Sequence, residues 1–170
     1  MITLESERLR LRECTADDAA DAFRLYSDPL VSTYLPAPPP DVENMRERIV
    51  RHIENAWRAH GHGLMSVFLK SDGRFIGMCG LLHWDLDGTE ETEVAYSLLP
   101  DAWGHGYALE AARALADDAF TRLGRTRVVS LIHPENSASV KVALKNGMLL
   151  ERATELFGKP VNVYARSAQV

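Results

Sequence analysis

EETEVAYSLLPDAWGHGYALEAAR, residues 90–113, is the stretch from which this chain is best read. Its first part alternates. Val94, Tyr96 and Leu98 interleave with Glu93, Ala95 and Ser97, the period-two pattern of a half-buried strand. Pro100 and Asp101 stop the strand, and Trp103-Gly104-His105-Gly106-Tyr107-Ala108 makes a tight turn. An alanine-rich helix runs on to Leu123. Ala108, Ala111, Ala112, Leu115, Ala119 and Phe120 keep the three-and-four spacing of a buried face, opposite Glu110, Arg113, Asp117 and Thr121. Strand, glycine turn and helix form an anion-binding arrangement. The first helical turn has unpaired N–H groups and the positive end of the dipole, and glycine lets a phosphate approach them. By itself the glycine pair is equally compatible with a plain turn.

Working outward, the segment before this stretch reads as antiparallel strands. Leu64–Leu69 is a strand, Ser71-Asp72-Gly73-Arg74 a hairpin turn, and Phe75–Trp84 the returning strand. A turn over Asp85–Thr89 leads into the strand Glu90–Leu99. Toward the N-terminus, Arg8–Glu13 is a charged-face strand, Thr15 caps a helix that ends before Pro29, and Asp41 caps a second that runs through about Ala59. Toward the C-terminus, Thr126–Ile132 is apolar on both faces, as a covered strand is. Asn136 caps a fourth helix that Gly147 ends, and Met148–Leu156 with Pro160–Arg166 form a last strand pair.

At 170 residues and 46% hydrophobic content, one globular domain spanning 1–170 is expected. A net charge of −5 argues against a general nucleic-acid binder, and no apolar run approaches a membrane span. Cys14 and Cys79 stand far apart, in no metal-ligand spacing, so two reduced thiols in a cytoplasmic protein are expected. His60 and His62 flank Gly61 but have no third ligand at a suitable spacing, and no metal is expected.

Three stretches together carry a family resemblance: Glu7–Arg12 with Asp17 and Asp18, residues 93–111, and Pro134–Ser139 with Lys145–Met148. The chain resembles the GCN5-related N-acetyltransferases (GNAT), in the RimJ/RimL-type branch that acetylates ribosomal-protein N-termini. Trp103 stands first in the pyrophosphate loop, as in that branch, whereas Met148 and Ala95 depart from the usual aromatic residue and glycine.

The resemblance implies that acetyl-CoA is held by Trp103, Gly104, His105, Gly106, Tyr107 and Ala108 at its pyrophosphate. It further implies that Leu98 and Leu99 offer strand-edge amides and carbonyls to the pantetheine, which Asn136 also bonds. Ser139 would lie near the sulfur, where it returns a proton to the thiolate or only donates a hydrogen bond. Glu93 is the candidate base, because primary amines are largely protonated near neutral pH; its bland alternative is a solvated strand charge beside Glu90 and Glu91. Tyr34 and Trp57 either line the acceptor pocket or belong to ordinary core.

The expected fold is therefore α/β (α+β), with a mixed, mostly antiparallel sheet of about seven strands and four helices. The expected activity is acetyl-CoA-dependent N-acetylation of a primary amine, a protein N-terminus or a small molecule, by a monomer or homodimer. A non-catalytic acyl-CoA sensor would keep the loop and dispense with Glu93. A Rossmann nucleotide-binding module fits poorly with the antiparallel run and with two loop glycines instead of three.

Overall fold

The computed structural model describes residues 1–168. Its sheet has eight strands: β1 (Thr3–Glu5), β2 (Leu9–Glu13), β3 (Leu64–Leu69), β4 (Phe75–Leu86), β5 (Thr89–Leu98), β6 (Arg127–Ile132), β7 (Leu149–Leu156) and β8 (Lys159–Ser167). They lie in the order β1-β2-β3-β4-β5-β6-β8-β7. Every neighbouring pair is antiparallel except β5 and β6, which are parallel and register at one position, Glu93 opposite Val129. The mixed sheet is as expected; the strand beyond the expected seven is β1, a three-residue edge piece on β2.

The helices are α1 (Ala19–Ser27), α2 (Pro29–Ser32), α3 (Val42–His52), α4 (Arg58–His60), α5 (Tyr107–Thr121) and α6 (Ser137–Lys145). The helix expected over 41–59 is thus interrupted. A wider π-turn, Ile53–Trp57, joins α3 to α4. It leaves Trp57 bracing the strand start, its Nε1 donating to Leu64 O at 3.0 Å. The hairpin between β4 and β5 is tighter than expected. Both strands pair up to Leu86 and Thr89, and the turn is only Asp87-Gly88, both at positive φ, a type I′ geometry.

The sheet separates two apolar layers. On one face, Ala111, Ala112, Leu115, Ala116 and Ala119 of α5 pack on Ile76, Leu81, Val94, Leu98 and Val128. Small alanines let this helix lie close to the strands it follows. On the other, Ala19, Ala22 and Leu25 of α1 with Met45 and Ile49 of α3 cover Phe75, Met78 and Leu99. Between these layers β5 and β6 diverge, and the candidate residues Glu93, Asn136 and Ser139 line that opening. No helix among the described residues is long and apolar enough to cross a membrane.

Candidate active site

The loop after β5 has the form an anion site needs. Gly104 and Gly106 have φ of 79° and 81°, which a residue with a Cβ adopts only with strain, and α5 starts at Tyr107. A Cβ on Gly104 would meet nothing within 4 Å, and one on Gly106 only Arg8 Nη2 at 3.6 Å. The space in front of the helix-start amides is therefore open, which fits the pyrophosphate of acetyl-CoA. The loop is fastened from both sides. Trp103 Nε1 donates to Leu98 O at 2.7 Å. Arg8 donates from Nη1 to His105 O at 3.0 Å and from Nε to Glu110 Oε2 at 2.8 Å, with its guanidinium 4.6 Å from the centre of the Tyr107 ring. Sequence reasoning left Arg8 as a strand charge, because its partners lie about a hundred residues on.

Beyond Glu93–Val129 the two parallel strands part. Ser130 Oγ donates to Val94 O at 2.8 Å near that point. In an antiparallel ladder alternate residues turn both backbone groups the same way. Leu99 N–H bonds Ile76 O at 2.9 Å, toward β4, and Leu99 O accepts from Ala102 N. This corrects the role expected of Leu99: its backbone is spent and turned from the opening. Val94, Tyr96 and Leu98 face the opening instead. Since Trp103 occupies Leu98 O, the strand groups left there are Leu98 N–H and the backbone of Tyr96. Asn136 caps α6, its Oδ1 accepting from Ser139 N at 3.1 Å. Asn136 and Ser139 both line the narrow wedge between the strands, about 120 Å³ in volume. Tyr96 Oη donates to Ser139 O at 3.0 Å, which ties β5 to the start of α6.

A larger cavity of about 660 Å³ opens on the α1 and α3 side of the sheet. Glu93 lines both it and the wedge. Its carboxyl is buried, with Oε2 accepting from Trp84 Nε1 at 2.6 Å and Oε1 from Leu131 N at 3.4 Å. Burial pushes its pKa up to about 7, against the lowering effect of those two bonds. Such a group is poised near neutrality, which a solvated strand charge is not.

The cavity walls are largely apolar, with rings from Tyr26, Tyr34, Trp84, Tyr96 and Phe157 among the aliphatic side chains. Tyr34 lines the cavity and stacks on His133 with ring centres 5.0 Å apart, while Trp57 does not reach it. Phe157, at the tip of the β7–β8 turn, meets the edge of Trp84. His52 Nε2 accepts from Leu64 N at 2.7 Å, so its neutral form carries the proton on Nδ1. Sequence reasoning missed Trp84, His133 and Phe157. Trp84 alone had a signal: it sits across from Glu91 in the hairpin register, diagonal to Glu93 on the same face. His62 is a packed residue, its Nδ1 2.8 Å from Leu81 O, and no cluster of three metal-ligating side chains occurs among the described residues.

Comparison with known proteins agrees with this geometry. The family model described as Acetyltransferase (GNAT) domain matches residues 8–149. The uncharacterized protein YkkB of Bacillus subtilis is 34% identical, over 97% of this chain and 95% of its own length. The uncharacterized N-acetyltransferase p20 of Bacillus licheniformis is 31% identical, over 96% of this chain and 94% of its own. Among solved structures, RimL, the ribosomal L7/L12 alpha-N-protein acetyltransferase in complex with coenzyme A, superposes with a TM-score of 0.77. That match covers 98% of both chains at 20% identity, and so speaks for the fold alone.

Proposed function

This chain belongs to the GNAT family of N-acetyltransferases, which use acetyl-CoA, and on that premise we propose that it acetylates a primary amine directly, with Glu93 as the base. One observation carries the reading: a single buried carboxyl with a pKa near 7 lines both the wedge and the larger, apolar-walled cavity. Residues 103–108 would hold the pyrophosphate through their backbone N–H groups, with Leu98 N–H, Asn136 and Ser139 along the pantetheine. When bound, acetyl-CoA supplies an acetyl group activated as a thioester.

The residues account for the protons. As the C–N bond forms and the C–S bond breaks, the amine nitrogen gives one proton to Glu93 and the sulfur regains one. In this reading the Ser139 hydroxyl, in the first turn of α6, supplies it and is reprotonated from solvent, to which Glu93 releases the proton it took, so both groups return to their starting state. Leu98 N–H and Tyr96 N–H are the strand donors left to polarise the thioester carbonyl. Trp84 and Leu131 N hold the Glu93 carboxyl in place while it exchanges its proton. RimL, by its name, acts on the N-terminus of a ribosomal protein; for this chain an α-amino group and a small-molecule amine are both chemically suitable. The test is an acceptor screen read by thiol release, with Glu93→Gln as the control. Release that is unaffected by the substitution would remove Glu93 from the chemistry.

A further inference from the structure

The acceptor cavity has a charge pattern that acetyl transfer by itself does not need. Over the chain, acidic residues outnumber Lys and Arg by 24 to 19. Among the residues lining the cavity the balance is reversed: Glu93 is the one carboxylate, against Arg48 and Lys159. Neither cation stands in an ion pair among the described residues. The contrast along α3 and α4 is sharp. Arg46 pairs with Asp17 and Glu43, Arg51 with Glu47, and Arg58 with Glu54. Arg48, on the cavity side, has only the Tyr26 ring, 5.9 Å from its Cζ.

Arg48 and Lys159 are exposed to solvent and line the same cavity as the buried Glu93 carboxyl. A second ammonium on the acceptor would meet like charge there.

Building on the acetyl-transfer reading above, we infer that the acceptor is a small primary amine with an apolar, ring-sized body and an anionic group, carboxylate or phosphate, which Arg48 and Lys159 receive. Polyamines and other polycations are the wrong class for this cavity.

The test is a set of para-substituted benzylamines of similar size. It comprises 4-(aminomethyl)benzoate, 4-(aminomethyl)phenylphosphonate, 4-methylbenzylamine and 1,4-bis(aminomethyl)benzene, with a peptide beginning Ser-Ala as a fifth acceptor. The readout is kcat/KM by thiol release, corrected for each amine's neutral fraction, in wild type, Arg48→Gln, Lys159→Gln and the double variant. Acetyl-CoA affinity by calorimetry reports the fold and the cofactor site in each. One or both anionic amines should exceed the neutral one by about tenfold, each cation giving about threefold on the scale of a partly exposed charge pair. The diamine should be slowest, and the double variant should bring the anionic-to-neutral ratio to within about twofold. The larger of the two anionic rates tells carboxylate from phosphate. Equal rates, a faster diamine, a ratio unchanged in the double variant, or a peptide that exceeds every benzylamine tenfold would each overturn the inference. So would silence of the whole set with acetyl-CoA affinity intact. Absence of acetyl-CoA binding in wild type would instead bring down the acetyl-transfer reading itself.

Discussion

Glu93→Gln separates what it costs to bury this carboxyl from what the carboxyl does. Burial raises its pKa from an ordinary 4.5 to about 7. The folded protein therefore keeps a proton that the unfolded chain has released, and wild-type stability falls as pH rises from about 4.5 to about 7 and is flat beyond. That gap amounts to about 3 kcal/mol in all, of which about 2 kcal/mol is lost between pH 5.5 and 8.5. Glutamine cannot ionise and escapes this loss. It has a cost of its own: if its oxygen keeps the bond from Trp84 Nε1, its amide N–H groups face Leu131 N–H. That cost is independent of pH and cancels when the two proteins are compared at two pH values. The measurement is urea unfolding of both proteins at pH 5.5 and 8.5. Relative to wild type, Glu93→Gln should gain about 2 kcal/mol at the higher pH, or about 4–8 °C in Tm for a chain of this size. A difference that does not move with pH would show that Glu93 is not titrating near 7.

Activity should move in the opposite direction. If Glu93 takes the amine proton, saturating turnover should drop about a hundredfold in Glu93→Gln at neutral pH. The wild-type rate should rise with pH through a break near 7, as the carboxyl loses its proton. In the variant that break should vanish, leaving only the rise that follows the amine's own pKa, near ~8 for an α-amino group and ~10.4 for a lysine-like one. A more stable but slower protein is the joint signature. Persistence of the break near 7 in Glu93→Gln would assign the base to another group.

The cofactor site gives three further tests. Gly106→Glu puts a carboxylate and a strained φ where the pyrophosphate is read to sit, and should raise the acetyl-CoA Kd at least about tenfold; an unchanged Kd in calorimetry would remove the loop from the assignment. Arg8→Ala removes the tie between the N-terminal strand and residues 105–110, and should raise the acetyl-CoA KM about three- to tenfold with kcat kept, whereas unchanged KM would mean the loop holds its own shape. Ser139→Ala should lower kcat about tenfold with acetyl-CoA affinity within twofold; weaker binding with full saturating turnover would make Ser139 a positioning residue instead.

What could be read in the sequence was whatever one segment states by itself. Residues 93–121 carry a strand period, a turn and a helix period in succession, and the structure follows them to within a residue or two. The strand Thr3–Glu5 was hidden because three residues are too few to show a period and it exists only through its pairing with β2. The π-turn after His52 was hidden because no proline or glycine marks it. Glu93 was legible as a candidate base through the family pattern, but its raised pKa depends on how the sheet and the cavity walls bury it. Leu99 illustrates the reverse failure, since only the ladder parity at the end of β5 shows which way a backbone turns.

The larger cavity was the least legible part for a physical reason. Its walls come from α1, α3, β4, β5, the end of β6 and the β7–β8 turn, and within its own segment each residue passes for ordinary core or turn. Yet one position does carry information. Met45, Arg48, Ile49 and His52 stand at i, i+3, i+4 and i+7, the spacing of a buried helical face. Met45 and Ile49 of that stripe are buried, while Arg48 is exposed at its edge and lines the cavity; Arg46 and Arg51 lie off the stripe and pair with carboxylates. The break in the pattern, rather than the pattern, marks the pocket. It singles out Arg48 as the charge that the anionic acceptor proposed above would meet there.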